Sequence, residues 1–310
     1  METYSIRPLS KELDDKAAKE INEDPKRIKE TLKMFHEWIK KQPHLNVRND
    51  DQHLITFLRG CKWSLQLAKQ KIDYFYTIRT LLPDLFRGRD ATSQEIQLLL
   101  KSGCITLLPN EEGYIGPKTF LVTFNTDLPF LALIRAIFMS IEILMKEDDN
   151  SIISGFQIIT DYKLLTPGYM LQFTPALVKK CAICMENMYP LRMKGHIGIN
   201  VPKGLVVIYN NFARPFFSDK LKERVYLFTE SNWKENVSRD IQSVLPQEYG
   251  GDNPSLTHLA DQWAQKVMSY RDWFLEDDGY GCDETRRQLA TKTYDQELGM
   301  EGSFRKLMID

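Results

Sequence analysis

The chain has 310 residues and an almost balanced charge, with 41 Lys and Arg against 42 Asp and Glu. Hydrophobic residues make up 43% and charged residues 27%, a balance typical of a folded globular protein that excludes wholesale disorder and fibrous repeats. A net charge of −1 argues against a general nucleic-acid coat, because such proteins carry a strong basic excess. We therefore expect no nucleic-acid partner, and any charged partner must meet a local patch.

Helical patterns dominate the first ninety or so residues. Apolar side chains recur at three- and four-residue spacing from Ile28 to Ile39, after Pro25 at a helix start. A second helix is predicted to begin near Asn49 and Asp50, either of which could cap it, and Ser64 to cap a third. We therefore predict a helical N-terminal domain at residues 1–95.

From about residue 96, short β-rich runs alternate with helical ones. Strands are predicted at residues 120–124, 152–160, 196–201 and 225–229, and helices at residues 128–145, 175–188 and 218–224. This alternation is typical of an α/β domain, a mostly parallel sheet covered by helices, here at residues 96–275. The polar remainder, residues 276–310, is expected to be a loosely packed C-terminal tail.

The sequence indicates a cytoplasmic protein. Residues 1–30 are polar and mixed in charge, so we expect no secretory signal. The longest apolar stretch, residues 128–145, contains Arg135 and Glu142 and falls short of the roughly 20 clean apolar residues that span a bilayer. The five cysteines are scattered and odd in number, which indicates reduced thiols.

No catalytic arrangement is evident. Cys181 and Cys184 form a C-x-x-C pair well inside a predicted helix, which favours core or pocket lining over a redox pair. Asp161 is expected to cap the turn after a strand, and Glu142 to pair with an arginine. The histidines show no metal-ligand spacing. We predict no enzyme, metal or cofactor; the alternative is an enzyme that uses the two cysteines or Asp161.

Charge and apolar residues are unevenly distributed. Residues 176–224 contain nine basic and three acidic side chains, whereas residues 240–284 contain ten acidic and two basic ones. An apolar run at residues 204–212 lies inside the basic segment, bracketed by Lys203 and Arg214. Cationic flanks on an apolar segment are typical of a membrane-contacting lid, although its β-branched residues favour a strand by propensity. The alternative is that this run simply fills the core.

Three stretches in register resemble the CRAL-TRIO (Sec14-like) family of lipid-exchange proteins. They are residues 51–64 (DQHLITFLRGCKWS), residues 174–202, which contain YPLRMKGHIGINVP, and residues 214–251, which begin RPFFSDKLKER and end LPQEYGG. Order and spacing fit across roughly residues 25–275. The branch they resemble contains α-tocopherol transfer and retinaldehyde-binding proteins, and GSFRKL at residues 302–307 is similar to the tails of insect members.

The resemblance implies a small helical domain followed by an α/β/α domain, whose apolar cavity holds one lipid behind a mobile gate helix. It places the gate at residues 201–212, against the strand propensity there, with Val201, Leu205, Val206, Ile208, Tyr209 and Phe212. The cavity residues that it implies are Ile137, Ile141, Thr160, Leu165, Cys181, Cys184, Met185 and His196. Ile137 and Ile141 replace small hydroxyl residues of that branch, which predicts a drier cavity.

The resemblance also implies a basic cleft for phosphoinositide headgroups. The matching positions are Arg192, Lys194, Lys220 and Arg224, which belong to the basic segment and flank the apolar run. The implied function is an intracellular carrier of one hydrophobic lipid, such as a tocopherol, retinoid, carotenoid or similar isoprenoid. It exchanges the lipid at phosphoinositide-containing membranes and associates peripherally with endosomal or other internal membranes. The alternative is a phosphoinositide-binding adaptor without lipid transfer.

Overall fold

The computed structural model of the protein describes residues 5–288 and 290–299, apart from the side chain of Phe212. The motif at residues 302–307 therefore lies outside the described residues. The first hundred residues fold mainly as helices, as predicted. These elements are α1 (Lys11–Ile21), α2 (Ile28–Lys40), the two-residue strand β1 (Leu45–Asn46), α3 (Asp51–Gly60), α4 (Leu65–Leu81), α5 (Pro83–Phe86) and α6 (Gln94–Lys101).

Polar side chains set the start of the N-terminal helices. The hydroxyls of Ser10 and Ser64 and the carboxylate of Asp50 each accept a hydrogen bond from the backbone N–H three residues further on. The predicted caps of α3 and α4 are thus confirmed, with Asp50 rather than Asn49 capping α3. Helix α1 was not predicted, because its charged sequence buries only three small or aliphatic side chains.

A five-stranded sheet forms the centre of the remaining chain, in the order β2-β3-β4-β5-β6. Its strands are β2 (Ile105–Leu108), β3 (Lys118–Val122), β4 (Phe156–Asp161), β5 (Met193–Ile199) and β6 (Val225–Leu227). Strand β2 runs antiparallel to β3, and the other neighbours are parallel. The predicted α/β fold with a mostly parallel sheet is confirmed; β2 was not predicted because its four residues, three of them buried, show no distinctive periodicity.

Helices cover the sheet and connect its parallel strands. They are α7 (Phe130–Glu147), α8 (Asp149–Ser154), α9 (Pro167–Met170), α10 (Pro175–Ile183), α11 (Lys203–Ile208), α12 (Asp219–Lys222), α13 (Trp233–Asn236), α14 (Arg239–Ser243), α15 (Leu256–Ser269) and α16 (Arg271–Asp277). Helices α10 and α11 continue as π-helical turns at Cys184–Met188 and Tyr209–Ala213. No helix within the described residues is both long and apolar enough to cross a membrane.

Two sequence predictions for this region have clear outcomes. The strand predicted at residues 152–160 is wrong in its first half, because Asp148 caps α8 there and Gly155, at φ 88°, turns the chain before Phe156 starts β4. Residues 203–208 are helical, so the family resemblance prevails over β propensity. Pro202 precedes the first turn of α11, and no residue of this helix is buried.

The C-terminal segment packs against the first helices, so the expectation of a loose tail is wrong for residues 281–288 and 290–298. Strand β7 (Gly281–Cys282) pairs antiparallel with β1, and Arg287 donates to Asp73 of α4 at 2.7 Å. The final helix, α17 (Tyr294–Leu298), buries Leu298 in the main core. The domain division at residues 1–95, 96–275 and 276–310 stays a prediction.

A buried cluster of four charges joins the N-terminal helices to the rest of the molecule. Glu142 of α7 accepts hydrogen bonds from Arg79 of α4 at 2.5 Å and from Arg89 at 2.8 Å. Asp277 of α16 accepts from Arg89 at 2.6 Å and also pairs with Arg79. Burial alone raises the pKa of Glu142, but the two arginines lower it below its ordinary value. The predicted pairing of Glu142 with an arginine is confirmed.

Replacing Glu142 tests how much the fold depends on this cluster. We expect Glu142→Gln to lower the free energy of unfolding by about 3–5 kcal/mol, because it leaves two buried arginines with one carboxylate. Urea denaturation at pH 7 measures the change, with Glu12→Gln on the exposed side of α1 as the matched control. Equal stability of the two variants would contradict a structural role for the cluster.

Candidate functional site

An apolar cavity of about 250 Å³ lies on one face of the sheet. Helix α7 contributes Phe130 and Ile137 to its wall, and α10 contributes Val178 and Cys181. Strands β4 to β6 form the floor, and α11 with its π-helical turn covers the opening. Among the described residues no Lys, Arg, Asp or Glu lines this cavity. The space is therefore suited to an uncharged, largely apolar guest.

The predicted cavity residues divide into two groups. Ile137, Cys181, Met185 and His196 line the cavity. The other four predictions are wrong, because the cavity wall does not include Ile141, Thr160, Leu165 and Cys184. Ile141 and Cys184 are fully buried in the filled core, and Leu165 is also part of it. Thr160 lies behind His196, to which its Oγ1 is hydrogen-bonded at 3.0 Å.

The predicted gate covers the cavity but packs weakly. Leu205, Ile208 and Tyr209 line the cavity. Two other predicted gate residues do not line the cavity: Val201, which is buried before the helix begins, and Val206. The side chain of Phe212 lies outside the described residues.

Helix α11 has no buried residue, and its apolar Val207 is 60% exposed. A segment with few buried contacts opens at low free-energy cost, which is the physical requirement for a gate. The same helix therefore presents apolar side chains both to the cavity and to solvent.

A second, basic cleft of about 320 Å³ adjoins the cavity. Arg192, Lys220 and Arg224 line it, and Lys62 and Lys71 join them from the N-terminal helices. The two spaces share three wall residues, Met185, Met193 and Leu221. Of the four predicted cations, Lys194 alone is not at the wall of this cleft. The cations that the resemblance implies for a headgroup thus mostly lie beside the apolar cavity.

Hydrogen bonds to backbone carbonyls hold most of these cations in place. Arg224 donates to the carbonyl of Met193 at 2.6 Å, Lys71 donates to that of Asn187 at 2.8 Å, and Arg192 donates to that of Ile153. Lys220 makes no side-chain hydrogen bond within the described part of the chain. Burial lowers its pKa, and so do the neighbouring charges of Arg224, Lys62 and Arg192, while Glu186, the one acidic residue among the described lining residues, has a smaller opposing effect. This repulsion between like charges favours an anion in the cleft.

Lys62 and Lys71 are the cleft residues that sequence reasoning missed. The chain after α3 has positive φ at Lys62 (52°) and Trp63 (61°), a tight turn just where Lys62 leaves the helix. Gly60 permits this approach, since a Cβ there would lie 1.9 Å from the carbonyl oxygen of Pro190. Lys62 stands within the recognised motif at residues 51–64, which was the available signal; Lys71 had none.

The groups considered for catalysis are unsuited to it. Burial raises the pKa of Cys181 to about 12 and that of Cys184 well above its ordinary value, so both thiols stay protonated at neutral pH. Asp161 accepts hydrogen bonds from the backbone of Lys163 at 2.9 Å and from Asn200 at 2.8 Å, which makes it a turn cap. Within residues 5–288 and 290–299, no group of three His, Cys, Asp or Glu side chains could hold a metal ion.

His196 is a polar group at an apolar wall. Burial lowers its pKa from 6.5 to about 4, so the imidazole is neutral at physiological pH. Between these two values the unfolded chain binds a proton that the folded chain does not, and stability therefore falls as the pH falls through this window.

Replacing His196 should remove part of the pH dependence of stability. Between pH 6.5 and 4, we expect the free energy of unfolding to fall by about 3 kcal/mol less in His196→Leu than in the unmodified protein. Urea denaturation at several pH values measures this, with His258→Leu at an exposed position of α15 as the control. Parallel pH profiles for His196→Leu and the unmodified protein would show that His196 keeps an ordinary pKa.

Several known proteins are similar to this chain over most of its length. Clavesin-1 of Xenopus laevis is 27% identical over 271 residues, covering 86% of this chain and 80% of that protein. The human "Alpha-tocopherol transfer protein-like" is 26% identical over 281 residues, covering 87% and 78%. A solved structure, "Crystal structure of Sfh5", is 14% identical with a TM-score of 0.47, covering 85% of this chain and 99% of that one. An insect origin stays a prediction.

Two family models account for most of the chain. A "Pinta-like, UBA domain" matches residues 24–96, which contain helices α2 to α5, and a "CRAL/TRIO domain" matches residues 115–251, which contain strands β3 to β6 and the cavity. The resemblance that the three sequence motifs indicated is therefore confirmed at the level of the domain, because residues 115–251 match the CRAL/TRIO domain.

Proposed function

We propose that this protein carries one hydrophobic lipid in its apolar cavity and exchanges it at membranes that contain phosphoinositides. The observation that carries the proposal is the contact between the two spaces, in which Met185, Met193 and Leu221 form walls of both. An uncharged cavity suits the apolar body of a lipid, and the adjoining cations suit an anionic headgroup of the bilayer. Lipid-binding relatives in the CRAL-TRIO family support the same function.

The cavity supplies the affinity. A lipid that buries about ten to fifteen methylenes gains roughly 8–12 kcal/mol, before the cost of ordering it is subtracted. The cavity volume of about 250 Å³ is slightly below the common range of ligand sites, roughly 300–1,000 Å³. A lipid with ten to fifteen buried methylenes therefore displaces part of the cavity wall outward. The weakly packed α11 and the flexible side chains of Met185 and Met193 are the parts that yield.

The basic cleft supplies the location of exchange. Near an anionic leaflet each Lys or Arg contributes about 1 kcal/mol, so the cleft cations together contribute several. Leu221 lines the cavity while its neighbour Lys220 lines the cleft. A headgroup that binds Lys220 therefore acts on the cavity wall through helix α12. Docking favours the open gate, lipid passes between cavity and bilayer, and the closed form diffuses away. We therefore propose that the protein is cytoplasmic and associates peripherally with endosomal or other internal membranes.

Neither a catalytic role nor a pure adaptor role fits the cavity as well. The thiols of Cys181 and Cys184 are protonated at neutral pH, and Asp161 is occupied as a turn cap. An adaptor without transfer would need the basic cleft alone, and this function would not explain the apolar cavity. We therefore propose a carrier that is not an enzyme.

Lipid extraction tests the carrier function directly. The protein is purified from eukaryotic cells, and organic extracts are analysed by mass spectrometry against extracts of Ile137→Trp, which places bulk at the cavity wall. We expect about one lipid per protein molecule in the unmodified chain and a strong reduction in the variant. No bound lipid, even after incubation with tocopherol, retinoid and carotenoid panels, would overturn the proposal.

Charge removal tests the role of the cleft. We expect Lys220→Ala to weaken binding to phosphatidylcholine vesicles containing phosphoinositide about fivefold, because it removes roughly 1 kcal/mol of attraction. Co-sedimentation measures binding, with Lys101→Ala, an exposed lysine outside the cleft, as the matched control.

A fluorescent-lipid assay on the same proteins measures transfer between vesicles. Transfer that falls together with docking supports exchange at the membrane. Strong docking of the unmodified protein without any transfer would instead establish the adaptor, and equal docking of the two variants would remove the cleft from the mechanism.

A further inference from the structure

The cavity has a polar corner that its apolar walls do not explain. Among the described lining residues only Tyr162, His196 and Tyr209 carry a nitrogen or oxygen in the side chain. Tyr162 follows β4, His196 lies on β5, and Tyr209 begins the π-helical turn of the gate. All three side chains line the same cavity, and burial is the main cause that raises the pKa of Tyr162.

Two polar atoms in this corner lack partners. The Tyr209 hydroxyl is buried and has no hydrogen-bond partner among the described residues. The Nε2 of His196 is within 3.0 Å of the Thr160 hydroxyl, while its Nδ1 has no hydrogen bond within the described part of the chain. A buried hydroxyl without a partner is destabilising and rare in folded proteins, so such a group at a cavity wall points to a ligand atom that satisfies it.

The charge of the cavity restricts the ligand further. No cationic side chain among the described residues lines it, and His196 is neutral at physiological pH. A carboxylate or phosphate inside this space would be a buried charge with no cation at the cavity wall, because Arg214, whose charge acts on Tyr209, does not line the cavity. Such a charge is strongly unfavourable. A pure hydrocarbon would leave the Tyr209 hydroxyl unpartnered. The remaining class is a neutral lipid with one oxygen at its end.

We propose that the cavity selects a neutral lipid whose terminal hydroxyl or carbonyl oxygen accepts a hydrogen bond from Tyr209, in preference to hydrocarbons, fatty acids and phospholipids. This inference rests on the proposed carrier function and narrows its substrate class. Because Tyr209 belongs to the gate, the same hydrogen bond ties the ligand to the closed position of α11. When the lipid oxygen leaves Tyr209 for the bilayer surface, this hydrogen bond breaks and the gate is free to open.

Competition with a fluorescent hydrocarbon tests the selection. Diphenylhexatriene, which has no oxygen, reports cavity occupancy, and four C20 isoprenoids displace it at pH 7.5: geranylgeraniol, its aldehyde, its carboxylic acid and the hydrocarbon without oxygen. The measured quantity is the affinity ratio of alcohol to hydrocarbon, compared between the unmodified protein and Tyr209→Phe. This comparison cancels the difference in water solubility between the two lipids.

We expect Tyr209→Phe to lower the ratio about 3–10-fold for the alcohol and the aldehyde, with diphenylhexatriene affinity measured separately for each variant as its own reference. The matched control, Tyr226→Phe on the half-exposed strand β6, should keep the ratio. The acid should bind the unmodified protein more weakly than the alcohol.

Two outcomes would overturn the inference. An unchanged ratio in Tyr209→Phe, or an acid that binds as tightly as the alcohol, would overturn the selection and leave the carrier function standing. Displacement by none of the four lipids would overturn both.

Discussion

Two arginines shared between two buried carboxylates hold the molecule together. Arg79 comes from the N-terminal helices, Glu142 from the helix over the sheet and Asp277 from the C-terminal helix, so one network joins three distant parts of the chain. Tyr189 donates to Glu142 at 3.0 Å, and its ring lies 5.7 Å from that of Phe138 at the cavity wall. Tyr189 also lines the basic cleft. The charge network is thus the rigid base on which both the cavity and the cleft are built.

Rigidity and mobility are separated across the cavity. The wall formed by α7 and the sheet is anchored by the charge network and by fully buried side chains such as Phe138 and Ile141. The opposite wall, α11, has no buried residue. A guest that enters therefore displaces one side only, and the volume of the cavity is set by the position of a short helix rather than by the whole core.

Much of the architecture could be predicted from local signals. Ser64 and Asp50 are strong helix caps, the isolated acid Glu142 in an apolar helix required a cation, and Asp161 at a strand end indicated a turn cap. What failed depended on contacts between distant residues. Lys71 donates to a carbonyl 116 residues further along the chain, which no local pattern encodes. Ile141 and Ile137 are one helical turn apart, yet only Ile137 reaches the cavity, because packing around the helix decides which of them is covered.

The pairing of β1 with β7 has a consequence for how the chain is made. Leu45 lies opposite Cys282, and the backbone N–H of Asp283 donates to the carbonyl of His44 at 2.8 Å, so the edge of β1 is completed by residues synthesised more than two hundred positions later. Closing so long a loop is slow compared with forming the helices themselves. During synthesis, the N-terminal helices therefore have an unpaired strand β1, and Arg79 and Arg89 lack Asp277, until the C-terminal segment has been made.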